Sequence, residues 1–375
     1  MNLQCDIAVL GGGPAGAATA LLLRKRAGLS VTLLERSGYE APRIGETVSP
    51  ASRRIFEELG IWEAFQRDGH LPSQGTCSCW GSSTPGYNDY LYSPLGPGWH
   101  LDRQRFDRML AEQARAHGVE VLTSTEPSRW EPRAQGGYTL HLDTGEGPRT
   151  LEARFVVDAT GRRSAFASSQ GARRLVADRV LSFYGFFSVR PGSSFDTYAL
   201  VETCREGWWY SALLPGGRVA VGLMGTGDSL RGLKRDEPEA WLALLKETGL
   251  TRQRLESCTF SGEPLVALPA QVSLLDRVQA EDWIAVGDAA CTYDPLSSQG
   301  ILKALGSASQ AAEALARAAR GDRAGLRAYG GRVRELFREH LAIRGGFYRQ
   351  ETRWPEAPFW KSHREPVVTD ELGRS

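Results

Sequence analysis

Lysine is almost missing from this chain of 375 residues. Only Lys25, Lys234, Lys246, Lys303 and Lys361 occur, so arginine carries the positive charge and no lysine lies between Lys25 and Lys234. Neither sign of charge is in excess: 45 Lys and Arg face 44 Asp and Glu, a formal net charge of +1. That balance excludes the electrostatic footprint of a nucleic-acid binder or of a protein held on an anionic membrane. Long apolar runs are absent too, because Gly and Arg interrupt them, so no membrane span is expected. Cysteine is sparse. The six, at positions 5, 77, 79, 204, 258 and 291, are scattered through a large chain, which argues against a disulfide framework and for a reducing compartment. Cys77 and Cys79 form the one close pair; with no second pair beside it, no metal site is expected. Residues 1–10 lack the features of a secretory leader and read as a strand, so the expected location is cytoplasmic.

What is present is an ordinary globular composition, 41% hydrophobic and 24% charged, with ample apolar surface to bury. Cys5 to Leu10 is a compact strand signal. The glycine-rich stretch from Gly11 to Gly16 follows at once, then an Ala- and Leu-rich helix to Arg26 and a strand from Ser30 to Glu35. Such β-α-β units build parallel sheets. Helices are predicted over 50–66, 101–117, 237–248, 299–318 and 323–342. Strands are predicted over 119–122, 138–142 and 155–159, and antiparallel strands over 180–224 with the turn Pro215-Gly216-Gly217 among them. Trp283 to Asp288 returns to a buried parallel strand. A nucleotide-binding domain is therefore expected over 1–178 and 259–335. A β-sheet substrate domain would occupy 179–258, with 72–100 contributing, and a C-terminal helix and aromatic tail 336–375.

The chemistry starts at Gly11-x-Gly13-x-x-Gly16, completed by Pro14 and Ala15. Gly11 permits the tight turn. Gly13 lets phosphates approach the backbone, and Gly16 lets the helix pack on the sheet with its N-terminus facing the phosphate charge. Glu35, ending the next strand, suits a ribose 2′-hydroxyl and disfavours a 2′-phosphate.

Further along, Val286-Gly287-Asp288 is followed by Asp294-Pro295 and by Ser297-Ser298-Gln299-Gly300-Ile301. This pattern resembles the carboxyl-terminal flavin motif of the FAD-dependent hydroxylase, halogenase and geranylgeranyl-reductase superfamily. Phe155 to Ser164, containing Asp158 and Gly161, is similar to that family's middle motif. Leu101-Asp102-Arg103 with Phe106-Asp107 resembles its FAD-contacting arginine segment. Arg43 to Pro50, containing Gly45 and Glu46, resembles the loop that crosses the flavin in the halogenase-like branch. The resemblance implies an α/β fold: a Rossmann-like FAD-binding domain of the aromatic-hydroxylase type with an inserted antiparallel β-sheet substrate domain. It implies FAD contacts from Gly11, Gly13, Pro14, Ala15, Gly16, Glu35, Arg36, Arg43, Gly45, Glu46, Arg103, Asp158 and Gly161. It extends them to Gly287, Asp288, Pro295, Ser298, Gln299, Gly300 and Ile301.

Only one dinucleotide fingerprint is present, so the reductant is expected to be NAD(P)H docking transiently or a partner flavin reductase, with O2 as co-substrate. The halogenase resemblance requires a lysine after the Arg43 loop, and the chain has none there. Its tryptophan halogenase segment, Trp-x-Trp-x-Ile-Pro, has its nearest equivalent within Trp208 to Pro215; aligned on the proline, Tyr210 and Ala212 replace the two tryptophans. The aromatic set Phe183, Tyr184, Phe186, Phe187, Tyr198, Trp208, Trp209 and Tyr210 suits an aromatic substrate. The Gly207 to Ala212 and Arg353 to Trp360 stretches resemble the maturase flavoproteins of tryptophylquinone oxidases. The expectation is then a monooxygenase acting through a flavin C4a-hydroperoxide on an electron-rich ring. Its substrate would be a tryptophan of a partner quinoprotein precursor, or a free or carrier-bound aromatic. A halogenase, an isoprenoid reductase and a non-catalytic chaperone of a partner stand as alternatives. Candidate catalytic residues are Glu46, Tyr210 and Ser297. His70 and His100 are candidates to line the site, and Lys303 reads as solvated or capping.

Overall fold

The computed structural model describes residues 2–41, 43–144 and 147–364. Strand Asn2–Leu10 lies at the centre of the first sheet, parallel to Val31–Leu34 on one side and to Gly147–Asp158 on the other. Glu120–Leu122 extends the sheet beyond Val31–Leu34, and Trp283–Ala285 pairs in parallel with the end of Gly147–Asp158. Tyr138–Thr144 and Pro127–Pro132 add an antiparallel edge. Register decides the position of the site. Leu10 pairs with Leu34 and with Asp158, and Asp158 pairs with Ala285. The carboxyl ends of four parallel strands therefore form one row, the edge at which open α/β sheets bind ligands.

Helix Pro14–Ala27 covers this sheet and packs on helix Gly300–Ala319. Residues Ala15 to Leu23 are all buried, Thr19 returning its hydroxyl to the Ala15 carbonyl, as a helix segment enclosed on every side requires. The closeness requires glycine. A Cβ on Gly16 would stand 1.9 Å from the Gly11 carbonyl oxygen, and one on Gly287 would stand 2.6 Å from Ala15 Cβ.

The second sheet runs in the order 258–260, 180–189, 218–226, 207–213, 198–204, 75–79, 86–89. All neighbours are antiparallel except 198–204 with 75–79. Val266–Pro269 also pairs with Leu181 to Tyr184, so this sheet reaches past the expected boundary at 258. Strand Gly207–Leu213 is buried on both faces. Trp209 packs on Trp241 of helix Glu239–Lys246, while Trp208, Tyr210 and Ala212 join the cluster facing the first domain. Tyr184 and Tyr210 both pair with Gly222, and their rings lie 6.5 Å apart. A Cβ on Gly222 would meet the Tyr184 ring at 2.6 Å. Gly222→Ala is therefore expected to cost about 1–3 kcal/mol in stability, seen as a lower urea midpoint with unchanged slope. An unmoved midpoint would show that Tyr184 yields freely.

Two small sheets complete the fold: 174–178 with 272–275 and 291–292, which no expected strand covers, and 47–48 with 98–100 and 71–73, of which the last two fall at the ends of the expected 72–100 contribution. The last long helix runs Ala324–Gln350, beyond the expected end at 342 and through Gly345-Gly346, because Leu341, Arg344 and Tyr348 are buried on one side of it. The tail that follows is a strap: Phe359 and Trp360 are fully buried against the second sheet, and the Trp360 indole donates to the Cys204 carbonyl at 2.8 Å. Residues 365–375 of the expected tail lie outside the described residues. All six cysteines are unpaired. No helix among the described residues is long and apolar enough to cross a membrane.

Candidate functional site

A cavity of about 600 Å³ opens along the row of strand ends, between the two sheets. Its first wall is the turn after Leu10. Gly13 precedes helix Pro14–Ala27 in extended conformation, and the nearest atom to a Cβ built on it is Arg43 Nη1 at 3.7 Å, so the space over this residue is open. Gly11, Gly13, Pro14 and Ala15 line the cavity; Gly16 and Gly287 do not, and they serve it through the packing described above. Glu35 and Arg36 line the next stretch. Glu35 is buried and accepts the Gly12 N–H at 2.7 Å, which ties the strand end to the glycine turn.

The Arg43 loop is pinned from below. Arg103 donates to the carbonyls of Ile44 and Gly45 at 3.0 and 2.9 Å, and both Arg103 and Arg43 pair with the buried Asp107. Arg43, Gly45, Glu46 and Arg103 thereby reach the cavity together. Asp107 was not among the expected residues, although its place four residues after Arg103 on a helix is the local signal for such a pair.

Gly161, Asp288, Pro295, Ser298, Gly300 and Ile301 line the opposite end. Ser298 holds a left-handed backbone at φ 49° just before helix Gly300–Ala319, whose N-terminus opens on the cavity. Lys303 corrects its expected role. It is 8% exposed, lies 2.7 Å from Asp288 Oδ1 and also donates to the Cys291 carbonyl. Burial opposes ionisation of Asp288, but Lys303 and Arg162 hold its carboxyl below the ordinary range.

Five more of the expected residues lie off the cavity. Asp158 is fully buried away from the cavity; its carboxylate accepts the Thr160 N–H and hydroxyl at 3.0 and 2.6 Å and the Ala167 N–H at 2.8 Å, so it fastens a loop. Ser297 donates to the Asp294 carbonyl at 3.0 Å inside its own turn, and neither it nor the exposed Gln299 lines the cavity. His70 is buried against Phe65 away from the cavity, and His100 sits one layer behind it, next to Thr47.

The remaining wall is aromatic, formed by Tyr184, Trp208 and Tyr210 beside Glu46. The Trp208 indole donates to Tyr348 Oη at 3.1 Å. Tyr348 donates to Asp294, which also receives Arg344 Nε at 2.7 Å. This buried chain holds the ring from behind. Burial pushes the phenols of Tyr184 and Tyr210 up, and the nearby Glu46 charge adds to it. Glu46 itself is 3% exposed, with Oε1 lacking any hydrogen-bond partner among the described residues, and burial raises its carboxyl to about 7 against the pull of Arg103. No lysine lines the cavity among the described residues.

An open glycine turn at a helix N-terminus, with a carboxylate at the next strand end, fits a dinucleotide. Comparison with known proteins agrees. The FAD binding domain family model matches residues 4–342. LodB of Marinomonas mediterranea, whose name places it among FAD-dependent oxidoreductases, is 29% identical over 360 residues, covering 95% of this chain and 96% of LodB. The tryptophan 2-halogenase of Chondromyces crocatus is 28% identical over 317 residues, 82% of this chain and 60% of that enzyme, so this chain spans less than two thirds of it. In three dimensions the flavin-dependent halogenase CmlS superposes with a TM-score of 0.88 at 24% identity, over 98% of this chain and 69% of CmlS. The peptidyl tryptophan dihydroxylase QhpG, essential for tryptophylquinone cofactor biogenesis, superposes at 0.78 with 28% identity, over 96% of this chain and 79% of QhpG. The chain belongs to the FAD binding domain family and is an FAD-dependent oxidoreductase of the halogenase and hydroxylase group.

Proposed function

We propose that this protein hydroxylates an electron-rich aromatic ring, the side chain of a tryptophan in a partner protein. The observation that carries hydroxylation over halogenation is a cavity wall with aromatic rings and a buried carboxyl but no lysine. The tryptophan reading is supported by the similarity to QhpG, which spans nearly the whole chain.

In this reading the N–H groups of the glycine turn and the start of helix Pro14–Ala27 face the pyrophosphate of FAD, and Glu35 takes a ribose hydroxyl. Asp288 and the N-terminus of helix Gly300–Ala319 hold the flavin end, where a helix dipole favours negative charge. Bound and reduced by NAD(P)H or a partner flavin reductase, FAD supplies the activation of O2. The chain's own residues do the rest. Trp208, Tyr184 and Tyr210 exclude water and orient the ring. Glu46 receives the proton that leaves the ring carbon, with an acidity near 7 suited to a base at neutral pH.

The test is a turnover of flavin-loaded protein with a reductant, O2, bromide and a tryptophan-containing peptide. Mass spectrometry is expected to show added oxygen and no bromine. A brominated product would reverse the assignment.

A further inference from the structure

Behind Tyr210 a chain of hydrogen bonds leads away from the cavity. The phenol oxygen lies 2.6 Å from Thr47 Oγ1, Thr47 Oγ1 lies 3.0 Å from His100 Nδ1, and His100 Nε2 lies 2.9 Å from the Thr197 carbonyl oxygen. The direction of every proton follows from the far end. A carbonyl only accepts, so His100 Nε2 carries a hydrogen. The ring is fully buried, and burial holds it at about 4, so it is neutral and its Nδ1 is a bare acceptor. The single Thr47 hydroxyl proton must then point at Nδ1, and the Tyr210 proton at Thr47. Each hydrogen is thus committed to the next member of the chain, Thr47 itself lining the cavity beside Tyr210. Tyr210 has no other hydrogen bond among the described residues and lines the cavity, so its oxygen keeps a lone pair free to accept. Glu46 Oε1, unpartnered and on the same wall, is a second acceptor when ionised.

We propose that Tyr210 is the specificity-determining residue that accepts a ring N–H of the substrate, with Thr47 and His100 as positioning residues that keep its own proton turned away. The site thus selects an unsubstituted indole. This rests on the tryptophan reading above and adds to it which edge of the ring is read. As electron density leaves the ring for oxygen, positive charge develops on the indole nitrogen, and an acceptor at its N–H stabilises that charge.

Two measurements decide it. Nitrogen NMR of the histidine rings in the flavin-loaded protein, with His100 assigned through His100→Gln, is expected to show the Nε2-protonated form between about pH 5.5 and 8. A hydrogen on Nδ1 would overturn the proposal whatever the substrate is. In the second, N-acetyl-tryptophan amide and its 1-methyl derivative are titrated into flavin-loaded protein and followed by the visible flavin spectrum. The methyl compound is expected to bind about tenfold more weakly, the worth of one hydrogen bond to a buried acceptor. Tyr210→Phe, which keeps the ring, is expected to bind both alike. Equal binding of the two compounds to the unaltered protein overturns the role of Tyr210 and leaves the tryptophan reading intact. Binding of neither overturns both.

Discussion

Gly13→Val is expected to fold normally and to be colourless. Gly13 has an extended backbone that valine adopts readily, and a Cβ there meets nothing closer than Arg43 Nη1 at 3.7 Å. The branched side chain would project into the cavity at the helix N-terminus, where the pyrophosphate must approach the backbone. Flavin affinity should fall by about a thousandfold or more, a loss of ~4 kcal/mol, while the melting temperature of the flavin-free protein stays put. Gly16→Ala gives the contrast. Its Cβ would stand 1.9 Å from the Gly11 carbonyl oxygen, so the helix must move and the fold itself should suffer. The visible spectrum after incubation with FAD, recorded beside a thermal melt, separates the two. A Gly13→Val protein that keeps a full complement of flavin would place the pyrophosphate elsewhere.

Glu46→Gln is expected to keep its flavin and lose turnover by about 10² to 10⁴, the range for removal of a general base. The unaltered protein should gain activity as pH rises through about 7, the value to which burial lifts this carboxyl, and the variant should lose that rise. Stability should respond in the opposite sense. The carboxyl is raised from 4.5 to about 7 in the folded protein, so the folded state keeps a proton that the unfolded chain releases in that window. Stability is therefore full below 4.5 and falls as pH climbs to about 7. Relative to Glu46→Gln, which stays neutral, the unaltered protein should lose about 3 kcal/mol across that window. Urea denaturation at several pH values reads this directly. A pH-independent difference between the two proteins would show that Glu46 is not a buried titrating group.

The nucleotide half of the molecule was legible because its signals are local. A strand, a glycine turn, a helix and an acid at the next strand end follow one another within about thirty residues, and the Gly287-Asp288 strand end is nearly as compact. The reactive half was legible in its residues, since Glu46, Tyr184, Trp208 and Tyr210 all line the cavity, but not in its arrangement. Strand Gly207–Leu213 is buried on both faces, so no alternation reveals that Trp208 and Tyr210 face the cavity while Trp209 faces Trp241. Only the packing of the two faces against different neighbours shows it. The Thr47, His100 and Tyr210 chain joins three distant segments, and no spacing marks it. Asp158 and Ser297 lie off the cavity for a related reason. A polar residue in a flavin-like motif satisfies its own turn as readily as it meets a ligand, and here Asp158 caps Thr160 and Ala167. Lys303 read as surface because its partner, Asp288, sits on a different element.

Isotopically labelled O2 tests the central claim most directly. Reduced, flavin-loaded protein is mixed with a tryptophan peptide under labelled dioxygen in ordinary water, and the peptide is fragmented in the mass spectrometer. Label on the indole ring is the expected result. An oxidised ring carrying oxygen from water, or a peptide left unchanged while O2 is consumed, would contradict oxygen transfer in this cavity.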